Sequence, residues 1–235
     1  MINLDVAVMK TNKYASSKSG DTVEVVERAK GGLSIIMADG QGSGKSAKIT
    51  SSLVVSKAMN LLSDGARDGA VARAVHDYLY MIKSGKVSAT LVIISIDLET
   101  ETLLISRNGH TPVFIKTETE KILLDKKTEP IGVHRFMKPE INEFPITEGM
   151  SIVGFTDGFI DAGFRNGTKM NLKEVWNVMD KPIMANGKAE LLFNSALQLD
   201  DYRPTDDLSV LVASVEKKDS KNPVASFNIS VPLKP

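Results

Sequence analysis

The chain has 235 residues, no cysteine, one tryptophan and 42% apolar content, enough to bury roughly 70% of its unfolded surface without a disulfide or structural metal. Lys and Arg total 29 and Asp and Glu total 29, so no charge excess recommends nucleic acid or a membrane surface as a partner. The N-terminus lacks the basic start and long apolar stretch of a signal peptide, and the most apolar segment, LVIISI at 91–96, is too short to cross a membrane; a cytoplasmic protein is expected.

In chain order, Leu4, Val6 and Val8 alternate as a strand, and Val23, Val25 and the run LSIIMA at 33–38 predict two more. After the glycine-rich DGQGSG, a helix is expected over about Ser43 to Ser63, stopped at Gly65. A second helix over about Ala70 to Ser84 lines up Val71, Val75, Leu79 and Ile82 on one stripe. From Ala89 to Val153 the period changes to that of strands, broken by Gly, Pro and Asn turns, and predicts a meander rather than a βαβ series. Asn171 and Asn186 are candidate caps of two further helices, and LSVLVASV at 208–215 is a last core strand.

Strands in long runs with helices in separate pairs predict an α+β fold of two packed sheets, each covered by a helix pair. A single domain is expected over 1–215. The polar stretch EKKDSKNP opens an extension over 216–235, in which Phe227, Ile229 and Val231 alternate as an expected edge strand.

Four acidic sites share one setting, the end of an apolar strand with glycine or a second acid beside it. They are Asp21 after Gly20, Asp39 before Gly40, Asp157 before Gly158, and the pair Asp206 and Asp207 ahead of LSVLV. Each aspartate taken alone reads as a turn cap. Together they read as a cation site, because a buried carboxylate is costly without a partner and an all-oxygen donor set selects Mg²⁺, Mn²⁺ or Ca²⁺ over zinc.

Gly42-Ser43-Gly44-Lys45-Ser46 offers a rival reading, since it carries the GKS end of a phosphate-binding loop between a strand and a helix. The full motif requires glycine five positions before Gly44, where Asp39 stands. The histidines read as structural: His110 lies at a turn, His76 on a helix and His134 in a loop.

ADGQGSG, ISRNGHTP, GFTDGFIDAG and TDDLS together resemble, in order and position, the metal-dependent protein phosphatases of the 2C type. The resemblance is to the SpoIIE-like bacterial branch, and within it to stressosome-resetting phosphatases of the RsbX type. It spans about Gly20 to Val215 and implies a four-layer αββα sandwich with two or more Mn²⁺ or Mg²⁺ ions at one edge of the paired sheets. By motif, Asp39 would bridge two ions, Gly40 would lend its carbonyl, Asp157 and Asp206 would complete the ligand set of the second ion, and Asp21 would act nearby, often through water. Asp207 falls where many relatives have asparagine, which leaves the register between Asp206 and Asp207 open. The implied activity is hydrolysis of phosphoserine or phosphothreonine on a bacterial regulatory protein, of the stressosome or anti-sigma-antagonist kind.

Two departures from that pattern stand out. Gln41 occupies the place of the histidine that many eukaryotic relatives offer as general acid. No arginine precedes Arg28 to grip phosphate, only Lys10, Lys13 and Lys18. These departures keep a second reading open, a catalytically silent binding module with the same fold.

Overall fold

A computed structural model describes residues 2–217 and 228–230. In chain order the strands and helices are β1 (Ile2–Thr11), β2 (Asp21–Glu27), β3 (Gly32–Gly40), α1 (Gly44–Ser63), α2 (Asp68–Lys83), β4 (Ala89–Asp97), β5 (Thr102–Asn108) and β6 (Val113–Lys116). They continue with β7 (Lys121–Leu124), β8 (Glu140–Pro145), β9 (Ser151–Phe155), α3 (Asp157–Ile160), a 3₁₀ turn (Phe164–Asn166), α4 (Lys173–Met179), α5 (Ala185–Leu199) and β10 (Leu208–Lys217).

The strands form two five-stranded antiparallel sheets, the first in the order β1-β10-β9-β6-β7 and the second in the order β2-β3-β4-β5-β8. Period-two geometry explains how one apolar run serves two cores. In β3, Ile35 and Met37 point into the layer between the sheets, where they meet Ile152 and Leu211, while Ile36 and Ala38 point the other way onto Val54, Val55 and Leu79 of α1 and α2. In β10, Leu211, Ala213 and Val215 fill the same central layer, and Val210 and Val212 pack outward on Leu192 and Ala196 of α5. The result is the expected α+β sandwich of four layers.

The segment from 89 to 155 is less simple than a meander. β4, β5 and β8 belong to the second sheet and β6, β7 and β9 to the first, so the chain changes sheets at 108–113, at 124–140 and again at 145–151. Sequence periodicity marks each strand but carries no signal for which sheet it joins. Two cap expectations also shift. Asn171 Oδ1 accepts from the Lys173 N–H at 3.1 Å, one residue ahead of the cap position. Asn186 lies inside the first turn of α5, whose leading N–H, that of Ala185, is capped across space by Asp5 Oδ2 at 2.9 Å. Of the expected edge strand over 225–231, residues 228–230 have no regular structure; the remainder lies outside the described residues.

In both sheets the loops that follow β1, β3, β5, β7 and β9, and those that precede β2, β4, β6, β8 and β10, emerge at one edge of the sandwich, as alternating antiparallel strands require. All four acidic sites lie at that edge.

Candidate metal centre

Asp21 opens β2 and Asp39 nearly closes β3, and the ladder sets them directly opposite one another. Both continue the inward stripes of their strands, Val23 and Val25 in one and Ile35 and Met37 in the other, so both carboxylates face the first sheet. From that sheet, Thr156 Oγ1 and Ser209 Oγ donate to Asp21 Oδ2 at 2.9 and 2.6 Å. Asp21 is fully buried and its other oxygen, Oδ1, has no hydrogen-bond partner. Asp157 begins α3 immediately beyond β9.

The TDD segment separates into two functions. Asp207 is buried and spends both oxygens on the β1–β2 loop: Oδ1 accepts from the Lys13 N–H at 2.8 Å and Oδ2 from the Gly20 N–H at 2.6 Å. Asp206 is only partly buried, and its Oδ1 accepts from the next residue's N–H at 2.8 Å. Asp207 thereby behaves as a clamp, and Asp206 retains the carboxylate capacity for a ligand.

Close backbone approaches draw these parts together. A Cβ on Gly40 would stand 2.2 Å from the carbonyl oxygen of Ala47 in α1, and one on Gly158 would stand 2.2 Å from that of Asp207. Only glycine permits either contact.

The carboxyl groups press on one another. Burial, and then the charges of Asp157, Asp21, Asp206 and Asp207, push Asp39 from the ordinary 3.8 up to about 9. Burial pushes Asp21 up to about 6, although the hydroxyls of Ser209 and Thr156 pull it down. Asp157 is also raised, by burial and then by Asp206. These shifts share one cause, anionic oxygens gathered in a partly dry place, and a bound cation inverts it. The donors are all hard oxygens, and the partnerless Oδ1 of Asp21 stands among them, so the residues fit a Mg²⁺ or Mn²⁺ site. Among the described residues no group of three or more His, Asp or Glu side chains is by itself arranged to hold a metal ion.

The remaining expected residues fall as follows. Gln41 accepts from the Ser88 N–H through Oε1 at 2.9 Å and holds the β3–α1 turn against the start of β4. Lys45 is exposed in the first turn of α1, in a fold whose antiparallel sheets lack the crossovers of a phosphate-loop enzyme. His110 is exposed near Asp157, and its charge opposes the rise of that carboxyl. His76 is buried, with Nδ1 accepting from the Gly132 N–H at 3.1 Å, and His134 pairs with Glu129 at 3.0 Å. Arg28 lies past the opposite end of β2, in a partly buried network with Asp68, Asp97 and Ser34. Of the three lysines, Lys10 Nζ donates to the Asp21 carbonyl at 3.0 Å, Lys13 contributes its backbone to the Asp207 clamp, and Lys18 is exposed.

Three participants carried no recognisable sequence signal as site residues. Lys48 Nζ donates to the Asp21 carbonyl at 3.0 Å and to Thr22 Oγ1 at 2.8 Å. Burial, and then the ammonium of Lys10, hold its own pKa below the usual lysine range. Ser209 falls on the inward stripe of β10 with Leu211 and Ala213, and Thr156 directly follows β9 as the residue before α3, so periodicity places both near the site without marking either as part of it.

The sequence model of the family described as Stage II sporulation protein E (SpoIIE) matches residues 29–216, a span that holds Asp39, Asp157 and Asp206. Stage II sporulation protein E of Bacillus subtilis (strain 168) is 21% identical over 207 residues, 86% of this chain. The chain spans about a quarter of that relative's length, 24%. Among solved structures, the PP2C phosphatase domain of Bacillus subtilis SpoIIE with a fragment of its regulatory domain superposes with a TM-score of 0.77 at 19% identity, over 90% of this chain and 63% of that one. RsbX in complex with magnesium gives 0.72 at 19% identity, over 92% and 100% of the two chains. The catalytic domain of the serine/threonine phosphatase PstP with two manganese ions gives 0.73 at 16%, over 92% and 100%. The fold is thus the PP2C sandwich.

Proposed function

Since the chain belongs to the stage II sporulation protein E (SpoIIE) family, we propose that it is a metal-dependent protein phosphatase that hydrolyses phosphoserine or phosphothreonine. The observation that carries this reading is the opposed pair Asp21 and Asp39, with Asp157 and Asp206 beside them and Asp21 Oδ1 left without a partner. Asp39, the Gly40 carbonyl, Asp157 and Asp206 would hold two Mn²⁺ or Mg²⁺ ions, with Asp39 shared between them, and Asp21 would support the site. The magnesium and two manganese ions of the superposed structures accord with that choice of metal.

When bound, such ions supply Lewis acidity toward the phosphoryl oxygens and a water nucleophile active at neutral pH. The chain's own residues supply position. Thr156 and Ser209 fix the rotamer of Asp21 by bonding one oxygen and leaving the other free. Asp207 ties the β1–β2 loop to the start of β10 and so sets the width of the site. Gln41 has no titratable proton and its carbonyl is engaged by Ser88, so this side chain does not supply the proton that a leaving group would need.

The substrate we favour is a phosphorylated bacterial regulatory protein, of the stressosome or anti-sigma-antagonist kind, met in the cytoplasm. This rests on family resemblance, on the likeness to RsbX and on the zero-cysteine composition. No helix among the described residues is long and apolar enough to cross a membrane.

The test is hydrolysis of p-nitrophenyl phosphate and of a phosphoserine protein with and without Mn²⁺. Activity that requires the metal and stops with excess chelator is expected. Full activity in chelator would sink the two-metal reading, and tight Mn²⁺ binding without turnover would favour the silent module.

A further inference from the structure

Beside the acidic cleft, three loops form one continuous rim that the proposed chemistry leaves unused. Tyr14, in the β1–β2 loop, donates its backbone N–H to the Pro204 carbonyl at 2.8 Å, and the Arg203 guanidinium lies 5.4 Å from the centre of its ring. Asn166, in the 3₁₀ turn, donates to the Leu199 carbonyl at 2.8 Å and to Asp201 Oδ2 at 3.1 Å. Asp200, buried at 2% exposure, binds the rim from below, accepting from the Gly163 N–H at 2.9 Å and the Thr205 N–H at 3.1 Å.

This braced scaffold presents large aromatic rings to solvent. Tyr14 is 56% exposed, Phe164 71% and Tyr202 64%. The backbone bears strain to do so: Ala15, Asp201 and Tyr202 have φ of 62°, 51° and 58°, a region that side chains other than glycine occupy at a cost and that clusters at functional positions. The charge around the rings is mainly positive. Lys18, Arg165, Lys169 and Arg203 are exposed there against Asp161 and Asp201. Neither Arg165 nor Arg203 forms an ion pair among the described residues. Exposed aromatics with unpaired arginines on a rigid support are the composition of a protein-binding hot spot.

We propose that this rim docks an acidic stretch of the phosphoprotein substrate that carries apolar side chains and flanks the phosphorylated residue. The proposal rests on the phosphatase reading and adds the substrate's flanking chemistry to it. Phosphate would enter the aspartate cleft while acidic neighbours meet Arg165 and Arg203 and an apolar neighbour meets Tyr14, Phe164 or Tyr202. Complementary charge at a rim affects encounter and KM more than the chemical step.

The experiment compares two phosphoserine peptides of equal length, one flanked by Glu and Leu and one by Lys and Leu, with p-nitrophenyl phosphate as the flank-free control, all in Mn²⁺. The unaltered protein should prefer the acidic peptide by about tenfold in kcat/KM, carried by KM. Arg165→Glu combined with Arg203→Glu should abolish or reverse that preference and leave p-nitrophenyl phosphate turnover within about twofold, since neither residue belongs to the cleft. Arg165→Gln with Arg203→Gln repeats the test without introducing repulsion.

Equal turnover of the two peptides by the unaltered protein, or a preference that survives both double variants, overturns the proposal. In that event, sedimentation of the variants and their binding to phosphatidylserine vesicles report whether the rim serves a second copy or a membrane instead. Absence of any Mn²⁺-dependent hydrolysis overturns the phosphatase reading together with it; hydrolysis without flank preference overturns the docking surface alone.

Discussion

Asp21 and Asp39 occupy directly opposed positions of the β2–β3 ladder, and both carboxylates leave the sheet on the face turned toward the other sheet. Like charges placed opposite each other destabilise a strand pair. Here the cost is compounded by burial and by Asp157 and Asp206. The metal-free chain therefore carries a defect at this edge that cations relieve, and most of the expected behaviour follows from it.

The first expectation concerns pH. Asp39 has an ordinary value of 3.8 and is pushed to about 9 in the fold, so the folded chain keeps a proton that the unfolded chain releases. For a carboxyl raised in this way, stability is greatest below the unfolded value and is lost as pH rises through the folded one. Asp21, raised to about 6, adds to the loss in the lower part of that window. Thermal denaturation without metal should show Tm falling as pH rises between about 4 and 9. Saturating Mn²⁺ should raise Tm more at alkaline than at mildly acidic pH. A flat metal-free profile would show that the carboxyls do not sense one another.

A second comparison sets Asp39→Asn against Lys45→Ala. The amide keeps the shape of Asp39 but removes the charge, so turnover should drop by roughly two orders of magnitude or more. The same change removes the most perturbed carboxyl, so the metal-free variant should melt higher than the parent and gain less from Mn²⁺. Lys45, exposed in the first turn of α1, should cost about tenfold or less. Turnover that survives the first change and collapses with the second would reverse the assignment.

Asp206 and Asp207 should separate by the kind of damage. Asp207→Asn cannot accept both the Lys13 and Gly20 N–H groups without setting an amide donor against one of them. It should lose about 1–3 kcal/mol of stability in urea unfolding. Asp206→Asn should unfold almost like the parent and weaken Mn²⁺ binding measured by calorimetry. The opposite pattern would exchange their roles.

Gly158→Ala tests the close packing of α3 on β10. Its Cβ would stand 2.2 Å from the Asp207 carbonyl oxygen, and backbone cannot yield as a side chain can. A loss of about 1–3 kcal/mol is expected, with Mn²⁺ affinity falling in parallel because Asp157 and Asp206 shift with the contact. An alanine variant of unchanged stability would mean that the approach is looser than the structure has it.

The layer order was legible in the sequence because burial on two faces leaves a local trace. Runs such as LSIIMA and LVIISI are apolar at every position but one, the serines Ser34 and Ser95 that bond each other across the ladder, as suits a strand covered by a sheet on one side and helices on the other. The acidic positions were legible for a similar reason: an aspartate at the end of such a run, with glycine beside it, conflicts with its surroundings and draws notice. Residue patterns also placed Asp39 and Asp157 at strand ends, where the fold gathers their charges at one edge.

Only the tertiary structure decided what each neighbour does. Whether Asp206 or Asp207 keeps a free carboxylate depends on the amides of Lys13 and Gly20, nearly two hundred residues earlier in the chain. The cap of α5 comes from Asp5 on a strand at the far end of the sequence, and Lys48 reaches the site only because α1 lies across β2. Hydrogen bonds and charge interactions act over a few ångströms of space. A single sequence records spacing along the chain, and it is the packing of two sheets that converts distant positions into neighbours.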